Sequence, residues 1–265
     1  MIVDRICCFR GENMKKTLSR ILVPVMLITS AFAFTACGKS RPIDSNWKFE
    51  STASGGIVTK AADIKEEDRP VITIDEDRLN KGTYLVTYRQ SGKNHTAEMT
   101  LKDGAYHIDY VDSDKDMIAK VTGDKLTLTI DGTKGISVVF RYTDEEMLIP
   151  ADEDKPGPDY VKAKMVDKGK VEIINEGEGD YQYSRFYLLE VQKNGKWYYA
   201  RKLETFAYTM EGLLLPGGSS NTEEYTLSHY GTLKPGEYRL AVGNRDACIY
   251  AYFTVNADGS FSYPQ

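Results

Sequence analysis

The stretch HTAEMTLKDGAYHIDYV, His95 to Val111, constrains the fold of this 265-residue chain more than any other part of it. A two-residue primed turn at Asp103-Gly104 sets Lys102 opposite Ala105, Leu101 opposite Tyr106, Met99 opposite Ile108 and Ala97 opposite Tyr110. The apolar residues then share one face. That is the condition for a half-buried hairpin, because a slip of one residue would turn all of them to solvent. A second hairpin closes in the same way on Gly123-Asp124, with Val121 opposite Leu126, Ala119 opposite Leu128 and Met117 opposite Ile130. Ile136, Val138, Phe140 and Tyr142 continue the alternation. The pattern predicts an all-β chain that begins with an antiparallel meander over 47–148, either a small barrel or a sandwich.

Beyond the meander, IPADEDKPGPD (149–159) gathers three prolines, a glycine and four acids, and reads as a linker without regular structure. GKSRPIDSN makes 37–46, counted from Cys37, a polar tether, and 257–265 reads as a tail. The region 160–256 is again β. YSRFYLLEVQKNGKWYYARK is strand, Asn-Gly turn and strand, and the final strand alternates Ile249, Ala251, Phe253 and Val255.

Three segments of this second region carry a resemblance. They are NGKWYY, the run Leu-Leu-Pro-Gly-Gly-Ser from Leu214 to Ser219, and YGTLKPGEYRL from Tyr230 to Leu240. Together they resemble a bacterial Ig-like family found in surface lipoproteins. The resemblance implies a β-sandwich in which Tyr238 bonds back to upstream backbone as a tyrosine corner. The segment ARKLETFAYTMEGLLL stretches the middle connection beyond that pattern. Because the family is defined by fold, no catalytic residue is implied. The first region, with Trp47 near its start and GDKLTLT late, is similar to small lipocalin-like domains of secreted bacterial proteins, again without site residues.

The N-terminal part decides where the chain is expected to go. Lys15, Lys16 and Arg20 precede Ile21–Ala36, sixteen residues without a charge. That is short of the roughly 20 a transmembrane helix needs and fits a secretory signal. The closing Phe34-Thr35-Ala36-Cys37 resembles the lipobox of bacterial lipoproteins, with Phe34 where Leu is usual. The resemblance implies that residues 1–36 are a signal peptide and that Cys37 becomes the mature N-terminus, joined to diacylglycerol by a thioether. The implied location is the extracytoplasmic face of the cell membrane, held by fatty acyl chains. Asp4 and Glu12 sit where a leader carries only positive charge, so Met14 is read as the true start.

Composition narrows the function. The formal net charge is −5, and residues 1–36 hold five basic and two acidic residues, so the remainder is more acidic still. An acidic body without a basic block argues against nucleic acid. Past Cys37 there is one cysteine, Cys248, read as a small buried apolar residue, so no disulfide framework is expected.

Candidates for chemistry are few. Asp112, Asp114 and Asp116 match positions 1, 3 and 5 of a calcium loop, but Met117 and Gly123 occupy positions that need Gly and Glu. The run is read as a solvated acidic loop, and no metal or other cofactor is expected. Glu98 falls opposite Asp109 as a like-charge pair. The three histidines, His95, His107 and His229, form no ligand or triad spacing, and no phosphate-binding glycine loop occurs. The remaining signal is aromatic, since 13 of 18 tyrosines lie from Tyr160 onward, with Trp197, Tyr198 and Tyr199 consecutive. Alternation puts Tyr198 on the face opposite Trp197 and Tyr199, so one side is expected to be exposed as a binding surface. The expected function is non-enzymatic binding of a protein or cell-wall glycan by a membrane-anchored lipoprotein. An envelope hydrolase or maturation factor using carboxylates, and a small-apolar-ligand binder built on the first region, are the alternatives.

Overall fold

The computed structural model describes residues 40–109, 117–130, 135–152, 155–206, 208 and 211–264. Cys37, Tyr110 and the Asp112–Asp116 run lie outside the described residues. The described chain is all-β, apart from three short 3-10 turns.

Nine strands form the first module: β1 (Trp47–Ser54), β2 (Ile57–Lys60), β3 (Val71–Glu76), β4 (Thr83–Gln90), β5 (Lys93–Lys102), β6 (Ala105–Asp109), β7 (Met117–Thr122), β8 (Lys125–Ile130) and β9 (Ile136–Tyr142). The order is β2-β1-β3-β4-β5-β6-β7-β8-β9, and β1 also pairs with β9 from Trp47↔Tyr142 to Ser54↔Ile136. This pairing closes eight antiparallel strands into a barrel and decides between the two architectures the sequence leaves open. Both anticipated registers hold. Met99 lies opposite Ile108 across the Asp103-Gly104 turn, whose residues have φ of 50° and 80°, and Val121 lies opposite Leu126. Glu98 does oppose Asp109.

Closure also needs a bend in β1. Its register shifts between Phe49 and Ser51, leaving Glu50 as the extra residue of a bulge. The Glu50 carboxylate accepts from Arg141 at 3.0 Å, while Lys125 stands at 3.4 Å. An eight-stranded barrel has an interior wide enough for its own side chains or for one small ligand. Here Trp47, Phe49, Ile74, Met99, Leu126 and Phe140 are among those that fill it. Leu101 departs from the expected pattern: although on the inward parity, it is 56% exposed. It lies two residues before the turn, past the buried core. The tether departs as well. Ile43 is buried, the Trp47 indole donates to its carbonyl at 2.8 Å, and the Arg41 guanidinium lies over the Tyr142 ring.

The second module has β10 (Ile149–Pro150), β11 (Val161–Asp167), β12 (Lys170–Asn175), β13 (Tyr181–Lys193), β14 (Lys196–Tyr199), β15 (Leu213–Leu215), β16 (Ser219–Glu224), β17 (Gly236–Asn244), β18 (Ala247–Val255) and β19 (Phe261–Ser262). One sheet runs β10-β14-β13-β17-β18-β19, with β15 also on β13; the other runs β11-β12-β16. Between them lie Val161, Met165, Val171 and Ile173 from the small sheet, against Leu189, Leu240, Ile249, Ala251 and Phe253. Complete burial of a side chain such as Phe253 contributes about 2–3 kcal/mol. The tyrosine corner is present, with the Tyr238 hydroxyl donating to Lys234 O at 2.8 Å.

Two segments read as irregular carry strands. Ile149–Pro150, inside the expected linker, pairs with β14 as an edge strand, where proline's missing N–H costs nothing. Phe261–Ser262, inside the expected tail, pairs with β18, and Phe261 stacks on Phe253. The stretched segment after β14 keeps following β13. The Ala200 amide donates to Leu189 O, the Tyr208 hydroxyl to Tyr187 O, and β15 then pairs with Tyr181–Tyr183.

The Leu-Leu-Pro-Gly-Gly-Ser run has a packing reason. A Cβ on Gly217 would stand 2.3 Å from Glu178 O and 2.7 Å from Gly177 O, both backbone, while Gly218 takes φ of 68° and donates to Gly177 O. Gly217→Ala is therefore expected to cost at least about 2 kcal/mol in urea denaturation. Gly179→Ala, with open space around it, is expected to stay within about 0.5 kcal/mol.

Candidate functional site

The outer face of the large sheet holds the aromatic cluster. One cross-strand row runs Tyr199, Glu190, Arg239, Tyr252 through β14, β13, β17 and β18. Arg239 and Glu190 are 2% and 4% exposed on what should be the wet side of the sheet, and Arg239 Nε donates to Glu190 Oε2 at 2.6 Å. Aromatic rings provide the cover. The guanidinium lies 4.5 Å from the Trp197 ring centroid and 4.1 Å from that of Tyr250. Trp197 in turn contacts Tyr252 with centroids 5.9 Å apart, and Tyr252 is 45% exposed. Arginine suits this position because its planar, weakly hydrated cation stacks on rings while its N–H edge meets a carboxylate.

The three consecutive aromatics have three different surroundings. Trp197 belongs to this outer face. Tyr198 points into the sandwich core, as alternation requires. Tyr199 shares the outer parity but is not available as platform. Its hydroxyl donates to Asp152 Oδ2 at 3.0 Å, and burial pushes it up to about 12. Asp152 is also held by Asn94 at 2.9 Å and Arg89 at 3.3 Å, both from the barrel. The expected surface of Trp197, Tyr198 and Tyr199 thus narrows to Trp197, joined by Tyr250 and Tyr252. Sequence reasoning missed Glu190, Arg239 and those two tyrosines. The available signal was the outward parity of Tyr250 and Tyr252 in the last strand, opposite the inward Ile249, Ala251 and Phe253.

Elsewhere, chemistry is sparse among the described residues. No group of three His, Cys, Asp or Glu could hold a metal ion. His95 and His107 sit on the barrel, far in sequence from His229. The His229 Nδ1 lies 2.9 Å from the Tyr187 hydroxyl, and Glu204 lies 3.8 Å from Nε2. Tyr187 also bonds to Thr226 O at 3.1 Å. A phenol has one proton, so the carbonyl takes it and His229 must be the donor to Tyr187. Burial pushes Tyr187 up to about 12, the reverse of an activated nucleophile. Cys248 is buried and its thiol is pushed up to about 11, mainly by burial, which is the inert structural condition. A shallow groove on the barrel exterior is lined by Lys48, Glu50, Lys60 and Arg141. Its Glu50 and Arg141 are spent on each other, and Lys48 on Glu145.

Fold and site define an all-β chain in which a closed barrel precedes an immunoglobulin-like sandwich that carries an arginine stacked between aromatic rings. Residues 159–254 match the family model of the bacterial Ig-like domain. No curated protein and no solved structure matches the chain.

Proposed function

We propose that this chain is a lipid-anchored lipoprotein on the extracytoplasmic face of a bacterial cell membrane. It binds a protein or cell-wall glycan there without catalysing a reaction. The observation that carries the reading is the run Phe34-Thr35-Ala36-Cys37, which closes the uncharged stretch that begins at Ile21. Two acyl chains on Cys37 give lasting attachment, at ~0.8 kcal/mol per buried CH₂. The Ig-like match over 159–254 and the aromatic outer face support a binding role.

Metabolic labelling with palmitate tests the anchor. The intact chain is expected to take up label and sediment with membranes, and Cys37→Ser to lose both; an unlabelled intact chain overturns the anchor. Retention on purified cell wall and on surface protein extracts tests the partner. Trp197→Ala is expected to weaken retention at least tenfold, and absence of retention on either material overturns the binding reading.

A further inference from the structure

The aromatic roof over the Arg239–Glu190 pair has an outer side as well. Trp197 enters it from β14 and Tyr252 from β18, with two strands between them. Their ring centroids nevertheless come within 5.9 Å, with planes tilted by 59°. The two rings make a continuous ledge on the solvent side of the large sheet. A row of polar side chains borders it. Gln192 stands directly opposite Trp197, and Thr254 directly opposite Glu237. Gln192 and Glu237 both adjoin the Val191–Tyr238 pair, which joins the two halves of the row. Thr254 lies two residues along β18 from Tyr252, on the same face and about 7 Å away. Its hydroxyl donates to the Glu237 carboxylate at 3.0 Å, and Glu237 is exposed. The border thus offers an amide that donates and accepts, a hydroxyl, and a carboxylate that accepts.

Charge and size select the occupant. Arg239 is 2% exposed and bonded to Glu190, so its charge is spent beneath the rings. Lys193 and Lys196, the nearest lysines in sequence, pair on the opposite parity. A polyanion would therefore meet the Glu237 carboxylate and find no free cation to receive it. With Tyr252 45% exposed and Trp197 half-buried, the ledge offers on the order of 150 Å² of aromatic surface. A stable protein partner needs about 800 Å² on each side. A pyranose fits both limits. Its C–H face is apolar, with hydrogens that suit the negative faces of aromatic rings, and its edge carries hydroxyls.

We propose that the Trp197–Tyr252 ledge binds a neutral glycan, one sugar ring stacking on the two side chains with its hydroxyls on Gln192, Glu237 and Thr254. This rests on the binding role proposed above and commits it to the glycan.

The test is fluorescence titration of the full-length chain, at low and high salt, with β-linked hexamers of glucose and of N-acetylglucosamine and with polygalacturonate. Trp47 is fully buried in the barrel, so a ligand-dependent change reports Trp197. At least one neutral hexamer is expected to bind saturably, with affinity unchanged by salt. Polygalacturonate, which has a carboxylate on every sugar, is expected to bind at least tenfold more weakly. Tyr252→Ala is expected to weaken the hexamer at least tenfold, and Tyr252→Phe to stay within twofold, because stacking needs the ring. No response to either hexamer overturns the proposal, as do equal binding of polygalacturonate, a tenfold loss at high salt, an unchanged affinity in Tyr252→Ala, and an equal loss in both variants. Failure of the hexamers while the chain is still retained on surface protein extracts removes the glycan alone; loss of retention on every material removes the binding role itself.

Discussion

Arg201→Met is expected to lower stability by about 3 kcal/mol at neutral pH and to uncouple the barrel from the sandwich. Arg201 follows the end of β14 and reaches the outer face of β3 in the barrel. It meets Asp75 with two bonds, Nε at 3.0 Å and Nη2 at 2.8 Å, and also donates to Asn46 Oδ1 and Ile74 O. The two side chains are 21% and 13% exposed, so solvent screens the pair little. Removing one member of a buried pair costs ~3–5 kcal/mol, because the other charge is left desolvated; partial exposure places this case at the lower end. The contacts beside it, Thr205 to Asp77 at 2.7 Å and the Arg78 amide to Leu203 O, lose their alignment with it.

The pH dependence follows from Asp75. Burial holds its carboxyl above the ordinary value even though Arg201 pulls it down. An acid whose folded pKa lies above its unfolded one binds more protons when folded, so stability falls as pH rises through the folded pKa. Without Arg201 that pKa rises further. The deficit of the variant is therefore largest at neutral pH and shrinks as pH falls and Asp75 protonates. The chain has two tryptophans, Trp47 in the barrel and Trp197 in the sandwich. Urea unfolding of the Trp47→Phe and Trp197→Phe backgrounds reports each module separately. Coincident transitions in the parent and split ones with Arg201→Met are expected; coincidence in both would remove the clamp role.

Arg239→Met is expected to cost the sandwich about 3–5 kcal/mol. The substitution leaves the Glu190 carboxylate, 4% exposed, without its arginine, and leaves Trp197 and Tyr250 without the cation between their faces. Glu190→Gln combined with Arg239→Met is expected to recover part of the loss, because the buried charge goes with its partner. Arg239→Lys is not expected to substitute, since an ammonium lacks the plane that stacks on two rings. Denaturation followed by Trp197 fluorescence measures all three. A cost under 1 kcal/mol for Arg239→Met would show that the rings alone shape this face.

What could be read from the sequence was what repeats every two residues. Met99 opposite Ile108 and Val121 opposite Leu126 are legible because turn chemistry and apolar period agree. The corner at Tyr238 is legible from LKPGEYRL. Ile149–Pro150 and Phe261–Ser262 are too short to show a period and sit among turn residues, so they read as linker and tail. Ile43 is one apolar residue in a polar run. The Glu190–Arg239 pair was hidden for another reason. Both sit at outward positions where charge is unremarkable, and only the register across β13 and β17 brings them under the same rings. Cys37 remains a sequence reading alone.

The docking of Ile43 and Trp47 at one end of the barrel has a mechanical consequence. With Cys37 lipidated as proposed, the chain from there to Ser40, where the described residues begin, spans at most about 11 Å when fully extended. Such a leash is too short to let the barrel roam. The barrel would ride on the bilayer as a pedestal, and a pull on the sandwich would reach the membrane through the Arg201 clamp and the 143–159 connection.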